Sequence, residues 1–246
     1  PSSFKADIYN NLGLVYRSKG DYPKAEDLYG CALCIREEIY ASDHPMVLAT
    51  KNNIAQVYAS EERYGEAISL FETVIREYRE NSTEDSAFLA TVYDNLSTAY
   101  REMERYEDAI DICTEGLNIR KDIYGKRSLD YAISLNNLAL IYYEMGILND
   151  AADIFSEALA IKKETLPEIH GQISIGYFNL GLVYDKLHRD NEALENYRAS
   201  MEIDNELEAY EDVLLTAEYI AEIYERNDMP EDAEAYRTLC SKDDVH

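Results

Sequence analysis

The stretch Asn11-Leu12-Gly13-Leu14-Val15-Tyr16 decides how this chain is read. It returns as NIAQVY from Asn53, NLSTAY from Asn95, NLALIY from Asn137 and NLGLVY from Asn179, and in worn form as YIAEIY from Tyr219. The first five copies lie 42 residues apart and the last step is 40. A period of this length marks stacked helical units, each too small to bury its apolar face alone. A second set keeps step with the first. Ala25, Ala67, Ala109, Ala151, Ala193 and Ala233 follow the leading apolar residue of each copy, and Tyr29, Phe71, Cys113, Phe155 and Tyr197 come four residues later. Ala32, Val74, Gly116, Ala158 and Ser200 close the unit. Each repeat therefore holds two apolar patterns at helical spacing with a break between them.

Leu12-Gly13, Tyr16, Ala25, Tyr29 and Ala32 resemble the tetratricopeptide repeat (TPR) pattern. The long period, with exits such as CIREEIYASDHP (34–45) and AIKKETLPEIH (160–170), resembles the repeats of kinesin light chain. The resemblance implies an all-α, right-handed superhelical solenoid of six helix-turn-helix units, at about 4–45, 46–86, 87–128, 129–170, 171–205 and 207–241. The whole of 1–246 is then a single array, expected to be a fragment of a longer protein. The unit exceeds the common TPR length of about 34 residues by roughly eight. Ile35–Tyr40 and Ile119–Tyr124 keep an apolar period past the last consensus position, so the extra length belongs to the second helix and its exit.

Local signals set the helix ends. Lys19-Gly20-Asp21, Gly146 and His188-Arg189-Asp190 make turns within units, and Gly125 is a break between them. Pro45 and Pro230 suit first turns, where a missing N–H is no loss. His44, Ser82, Thr83 and Asp85 are expected caps.

Composition narrows the function. The chain carries 49 acidic and 23 basic residues, a formal net charge of -26. That disfavours nucleic acid and anionic membrane as partners and favours a basic or neutral protein or peptide ligand, for which the apolar strip residues below imply an apolar anchor. No run of apolar residues is long enough for a transmembrane helix, and the start lacks the apolar core of a signal peptide. Cys31, Cys34, Cys113 and Cys240 make no disulfide framework, which fits a reducing, cytoplasmic setting. The C-x-x-C spacing of Cys31 and Cys34 has no second ligand pair to complete a metal site. There is no P-loop, dinucleotide fingerprint or HExxH, so neither an enzyme nor a cofactor is expected.

The informative surface is the second stripe of the first helix. In repeat 1 it holds Asp7, Asn10, Asn11, Leu14 and Arg17, at spacings that share one helix face. Across the repeats it yields Asn11, Asn53, Asn95, Asn137 and Asn179, flanked by Asn10, Asn52, Asp94 and Asn136. An asparagine donates and accepts at once, so a ladder of them can grip the backbone of an extended peptide whatever its side chains. The resemblance places these residues on the concave groove, where long TPR repeats use such asparagines on peptide backbone. The alternative is that each amide bonds the neighbouring helix and only sets packing. In repeats 4 and 5 the strip turns apolar through Ile133, Leu140, Tyr143, Ile175, Phe178 and Leu182, an expected sub-pocket for ligand side chains; the alternative is that Leu140 and Leu182 fill the seam between helices. A different reading makes the chain a structural or regulatory spacer that assembles through convex or terminal surfaces, with end-to-end self-association of the array.

Overall fold

The computed structural model describes residues 2–81 and 86–242. The chain is an all-α helical repeat solenoid, with twelve helices and no strand among those residues. They run α1 (Ser3–Ser18), α2 (Tyr22–Ile39), α3 (Pro45–Ser60), α4 (Tyr64–Asn81), α5 (Ala87–Glu102), α6 (Tyr106–Tyr124), α7 (Leu129–Glu144), α8 (Leu148–Thr165), α9 (Gly171–Lys186), α10 (Asp190–Glu206), α11 (Tyr210–Arg226) and α12 (Pro230–Lys242). Odd helices are the first, or A, helices of the hairpins and even ones the B helices. By contacts the chain forms two compact units, Pro1–Ile123 and Tyr124–His246. Each unit is three hairpins in series.

In the first five hairpins the A helices have 16 residues, and the B helices there have 17 to 19. The expected extra length on the second helix is therefore present. Pro45 and Pro230 open α3 and α12, as their missing N–H allows. The imidazole of His44 caps α3, its Nδ1 accepting from Met46 N at 3.2 Å. His170 does the same for α9, accepting from Gln172 N at 3.1 Å. The cap of α5 is Ser86, whose hydroxyl accepts from Leu89 N at 3.2 Å. The expected candidates Ser82, Thr83 and Asp85 lie outside the described residues.

Every A helix ends the same way. Gly20, Glu62, Glu104, Gly146, His188 and Asp228 all have positive φ, between 56° and 78°. The next amide turns back to the carbonyl of the repeated tyrosine, as in Arg63 N to Tyr58 O and Arg105 N to Tyr100 O, both 2.9 Å. The arginine then lies over that tyrosine ring, 4.0 Å from the Tyr58 centroid for Arg63 and 4.4 Å from Tyr100 for Arg105. The left-handed conformation costs a side chain about 1–2 kcal/mol, which glycine escapes. Part of that gain returns as unfolded-state entropy. Glu104→Gly should therefore raise the unfolding free energy by about 0.5–1 kcal/mol, read from the urea midpoint. A lower midpoint would show that Glu104 has a role its backbone does not reveal.

The cores are local. In the first unit Ala25 and Tyr29 pack with Ile54 and Val57, and Leu89, Ala90, Tyr93 and Ile119 form a second cluster. In the second unit Ala139, Phe155, Leu159, Leu180 and Val183 share one cluster, and Ala193, Tyr197, Ile220 and Ile223 another. Within each unit hairpins pack on their neighbours, as nearest-neighbour stacking requires. The leading apolar residue is buried at Ile54, Leu96, Leu180 and Ile220. Leu138 is half-buried. Leu12, expected in the core stripe, is instead 41% exposed, whereas its counterpart Ile54 packs against Ala25 and Tyr29 of the helix before it.

One packing rule couples the two helices. Tyr29 and Tyr197 are fully buried, and each ring lies against a glycine of its own A helix, Gly13 and Gly181. A Cβ on Gly13 would come within 2.8 Å of the Tyr29 ring. In the same register Ala55 corresponds to Phe71 and Ala139 to Phe155, and the latter two share one core cluster. The larger ring is matched by the smaller partner, which keeps the hairpin at native density.

Candidate functional site

The asparagine pairs stitch adjacent A helices together. Asn53 Nδ2 donates to Asn10 Oδ1 at 3.2 Å, and Asn95 Nδ2 to Asn52 Oδ1 at 3.2 Å. In the second unit Asn179 Nδ2 donates to Asn136 Oδ1 at 3.0 Å. Successive positions on a helix point about 100° apart, and the second asparagine of each pair reaches back to the first of the pair before it. Each amide has two donors and an acceptor with two lone pairs, and each of these bonds occupies only one position per side chain. Asn10, Asn53, Asn95, Asn136 and Asn137 are half-buried, and Asn11 is exposed; Asn52 and Asn179 are buried. Packing is thus a role of Asn10, Asn52, Asn53, Asn95, Asn136 and Asn179, with hydrogen-bonding capacity left over along the same face.

Asp94 differs from its asparagine counterparts. It is buried and ion-paired with Arg120 of α6, which is buried too. Its carboxylate therefore belongs to the hairpin's own framework. The cations near the strip are likewise engaged. Arg17 bonds Gln56 and Arg101 bonds Glu102. Lys186 Nζ lies 4.5 Å from the Tyr143 ring centroid. Arg226 pairs with Asp185 and Asp190. Lys51 is buried with its Nζ 2.8 Å from Glu77. These bonds leave the strip without a cluster of basic groups to hold a ligand carboxylate.

The six apolar strip residues do not form one pocket. Leu140 and Tyr143 pack onto the cluster around Phe155 and Leu180. Leu182 packs onto the cluster around Tyr197 and Ile220. Phe178 sits edge-on to Tyr219, with centroids 5.5 Å apart, and tilted against Tyr197 at 5.6 Å. Ile175 is 47% exposed, and together with Phe178 it walls a cavity of about 220 Å³ between α9, α10 and α11. Ile133 is half-buried on α7 and does not line that cavity.

A family model described as a tetratricopeptide repeat matches residues 4–80 and 88–164, and another of the same description matches 176–207. The chain belongs to the tetratricopeptide repeat family. Solved TPR-like structures share the fold at low identity. BtubC (BKLC) from P. vanneervenii superposes with a TM-score of 0.73 at 24% identity, covering 82% of this chain and 80% of its own. A kinesin light chain-like protein of nearly identical TPR-like repeats from Podospora anserina gives 0.70 at 19%, covering 84% and 98%. The apo form of RapI gives 0.69 at 15%, covering 95% of each. No curated protein matches the sequence.

A TPR array is a protein–protein interaction module, and TPR proteins are generally non-enzymatic scaffolds. Other details of this array bear on its chemistry. Cys31 and Cys34 are exposed thiols of α2, whereas Cys113 is fully buried. Burial, aided by the charge of Asp94, pushes the Cys113 thiol up to about 12, so it acts as a small apolar residue rather than a nucleophile. Among the described residues no group of three His, Cys, Asp or Glu side chains could hold a metal ion, and no helix is long and apolar enough to cross a membrane. One B-helix register lies outside the A-helix strip: positions 36, 78, 120, 162 and 204 hold Arg36, Tyr78, Arg120, Lys162 and Asp204 at 42-residue spacing. Comparing charge down that column would have exposed it, since the sign reverses at the last member.

Proposed function

We propose that the TPR array holds an extended peptide segment of a partner protein along its A helices, with Asn11, Asn53 and Asn95 in the first unit and Asn137 and Asn179 in the second acting on the peptide backbone. One observation carries this reading. Within each unit asparagine amides of successive A helices bond one another at the repeat spacing, and those bonds use only part of their capacity. An extended chain offers donors and acceptors in regular alternation, which such a row can meet without reading side chains. Apolar anchors then supply most of the binding energy, and Ile175 and Phe178 present the open apolar wall for one. The net charge favours a basic segment and disfavours nucleic acid and anionic membrane. No catalytic role is assigned, and the reading places the protein in the cytoplasm.

The test is a peptide-display selection against the whole chain, followed by affinity measurement with the Asn53→Ala plus Asn95→Ala variant. Loss of the two inter-helix amide bonds costs about 1 kcal/mol each, so helicity at room temperature should persist. Affinity for the selected peptides should fall at least tenfold. Undiminished affinity in a variant of unchanged helicity would contradict the clamp.

A second reading rests on a different surface. Phe4, Ile8, Leu12 and Val15 of α1 are all more than 40% exposed, and they share one side of the helix. This apolar face suits assembly at the first hairpin, end to end with another copy or with another domain, without a groove ligand.

A further inference from the structure

The B-helix column that begins at Arg36 describes a space between three helices. Arg36 is 4% exposed and fills the gap between α1, α2 and α3. Its Nη2 donates to Asp7 Oδ1 at 2.8 Å, and its Nη1 donates to the Met46 carbonyl at 2.9 Å and to the Thr50 hydroxyl. Arg120 is buried in the same register and paired with Asp94. The chain thus supplies its own guanidinium side chain at these places, together with the carboxylate that neutralises it.

At the fifth hairpin the column carries Asp204, shorter than arginine and of opposite sign. Counting by the repeat, the partners Asp7, Met46 and Thr50 become Ile175, Asp212 and Thr216. The gap stays open there. It is the cavity of about 220 Å³, with Ile175, Phe178 and Leu215 as apolar walls and Asp204, Asp212 and Thr216 as polar lining. Asp204 is 5% exposed, and its Oδ2 accepts from the Ser200 hydroxyl at 3.3 Å. Among the described residues no lysine, arginine or histidine lines the cavity. A buried carboxylate normally pairs with a cation, because its desolvation is otherwise uncompensated.

We propose that this cavity receives an arginine side chain of the bound segment, in the place that Arg36 fills from within the first hairpin. The aliphatic stem lies against Ile175, Phe178 and Leu215, and the guanidinium meets Asp204, Asp212 and the Thr216 hydroxyl. The planar fork suits two carboxylates on different helices, and a charge-assisted pair in a half-closed site is the stronger kind of hydrogen bond. Burial, with the nearby Asp212, raises the Asp204 carboxyl above the usual carboxylate range, against the hydrogen bonds of Ser174 and Ser200 that lower it. The proposal deepens the peptide reading above, but the charge pattern of the cavity stands without it.

The probe is Nα-acetyl-arginine methylamide, titrated into the isotopically labelled full chain, with the citrulline counterpart as the uncharged isostere. The arginine compound should shift the Ile175 and Leu215 methyls and the Thr216 amide, and citrulline should bind at least tenfold more weakly. Asp204→Asn should melt no lower than the wild type while losing at least tenfold in affinity for the arginine compound. Asp212→Asn, at an exposed position, should weaken binding in a fold that is unaltered. Equal shifts from citrulline, no shifts at cavity residues, or unchanged affinity in both variants would overturn the proposal. Selected peptides that bind the asparagine strip with no arginine requirement would leave the peptide reading standing and remove this one. Arginine binding in the cavity without any selected peptide would do the reverse.

Discussion

Replacing Lys162 by methionine should raise the unfolding free energy at pH 7 by about 2–3 kcal/mol, and the gain should disappear in alkali. Lys162 lies in α8 and is 1% exposed. Its register mates Arg36 and Arg120 have Asp7 and Asp94 as partners. For Lys162, by contrast, the A helix of the hairpin offers Ile133 and Asn136 at those positions, and no carboxylate among the described residues pairs with it. Burial alone lowers its pKa from 10.5 to about 8. The fold therefore favours the neutral amine, and below pH 8 it must hold a proton that destabilises it. Between about 8 and 10.5 the unfolded chain binds more protons than the folded one, so stability contributed at this site rises with pH. One pKa unit corresponds to about 1.4 kcal/mol, which sets the size of the effect. Methionine keeps an unbranched side chain and removes the charge. Urea unfolding of both proteins from pH 7 to pH 10 measures the difference, which should narrow steadily. A Lys162→Met protein less stable than the wild type at pH 7 would mean the ammonium is paired after all.

Gly181→Ala should act in the opposite direction, costing about 2–3 kcal/mol. Alanine is favoured over glycine in a helix interior by about 1 kcal/mol, so the sign is decided by contact. A Cβ at position 181 would stand 2.5 Å from the Tyr197 ring, and that ring is fully buried with nowhere to move. Gly30 supplies the control. It lies in α2 with nothing within 4 Å of an added Cβ, so Gly30→Ala should gain about 1 kcal/mol. Adding Tyr197→Phe to Gly181→Ala should recover part of the loss. It recreates the pairing of Ala139 with Phe155, and the buried Tyr197 hydroxyl has no hydrogen-bond partner to forfeit. Equal denaturant midpoints for wild type and Gly181→Ala would contradict the packing rule.

The helix order was legible because each repeat states it again. A single copy of NLGLVY is ambiguous, but five in register fix the A helix, its tyrosine end and the turn at Gly20 or Gly146. His44 was legible as a cap because it precedes Pro45. Burial was less legible at the margin. Leu12 carries the same pattern as Ile54 and Leu96, yet its environment depends on a neighbour that the pattern cannot supply. The asparagine pairs were visible as a row, but two equal uses of an amide have one sequence signature, and only distances separate them. Those distances give packing to three pairs. Asp94 escaped because its partner Arg120 lies on the other helix of the hairpin, 26 residues away. The glycine–tyrosine coupling and the Asp204 cavity escaped for a related reason. Both live between columns of the repeat, and each column had been read alone.

The direct measurement is amide and methyl NMR mapping of a selected peptide on the labelled full chain. The account predicts shifts on the A helices, at the side-chain amides of Asn53 and Asn95 in one unit or Asn137 and Asn179 in the other, with the B-helix residues Cys31 and Cys34 undisturbed. Shifts confined to the B helices, or to the exposed face of α1 around Phe4 and Ile8, would contradict it.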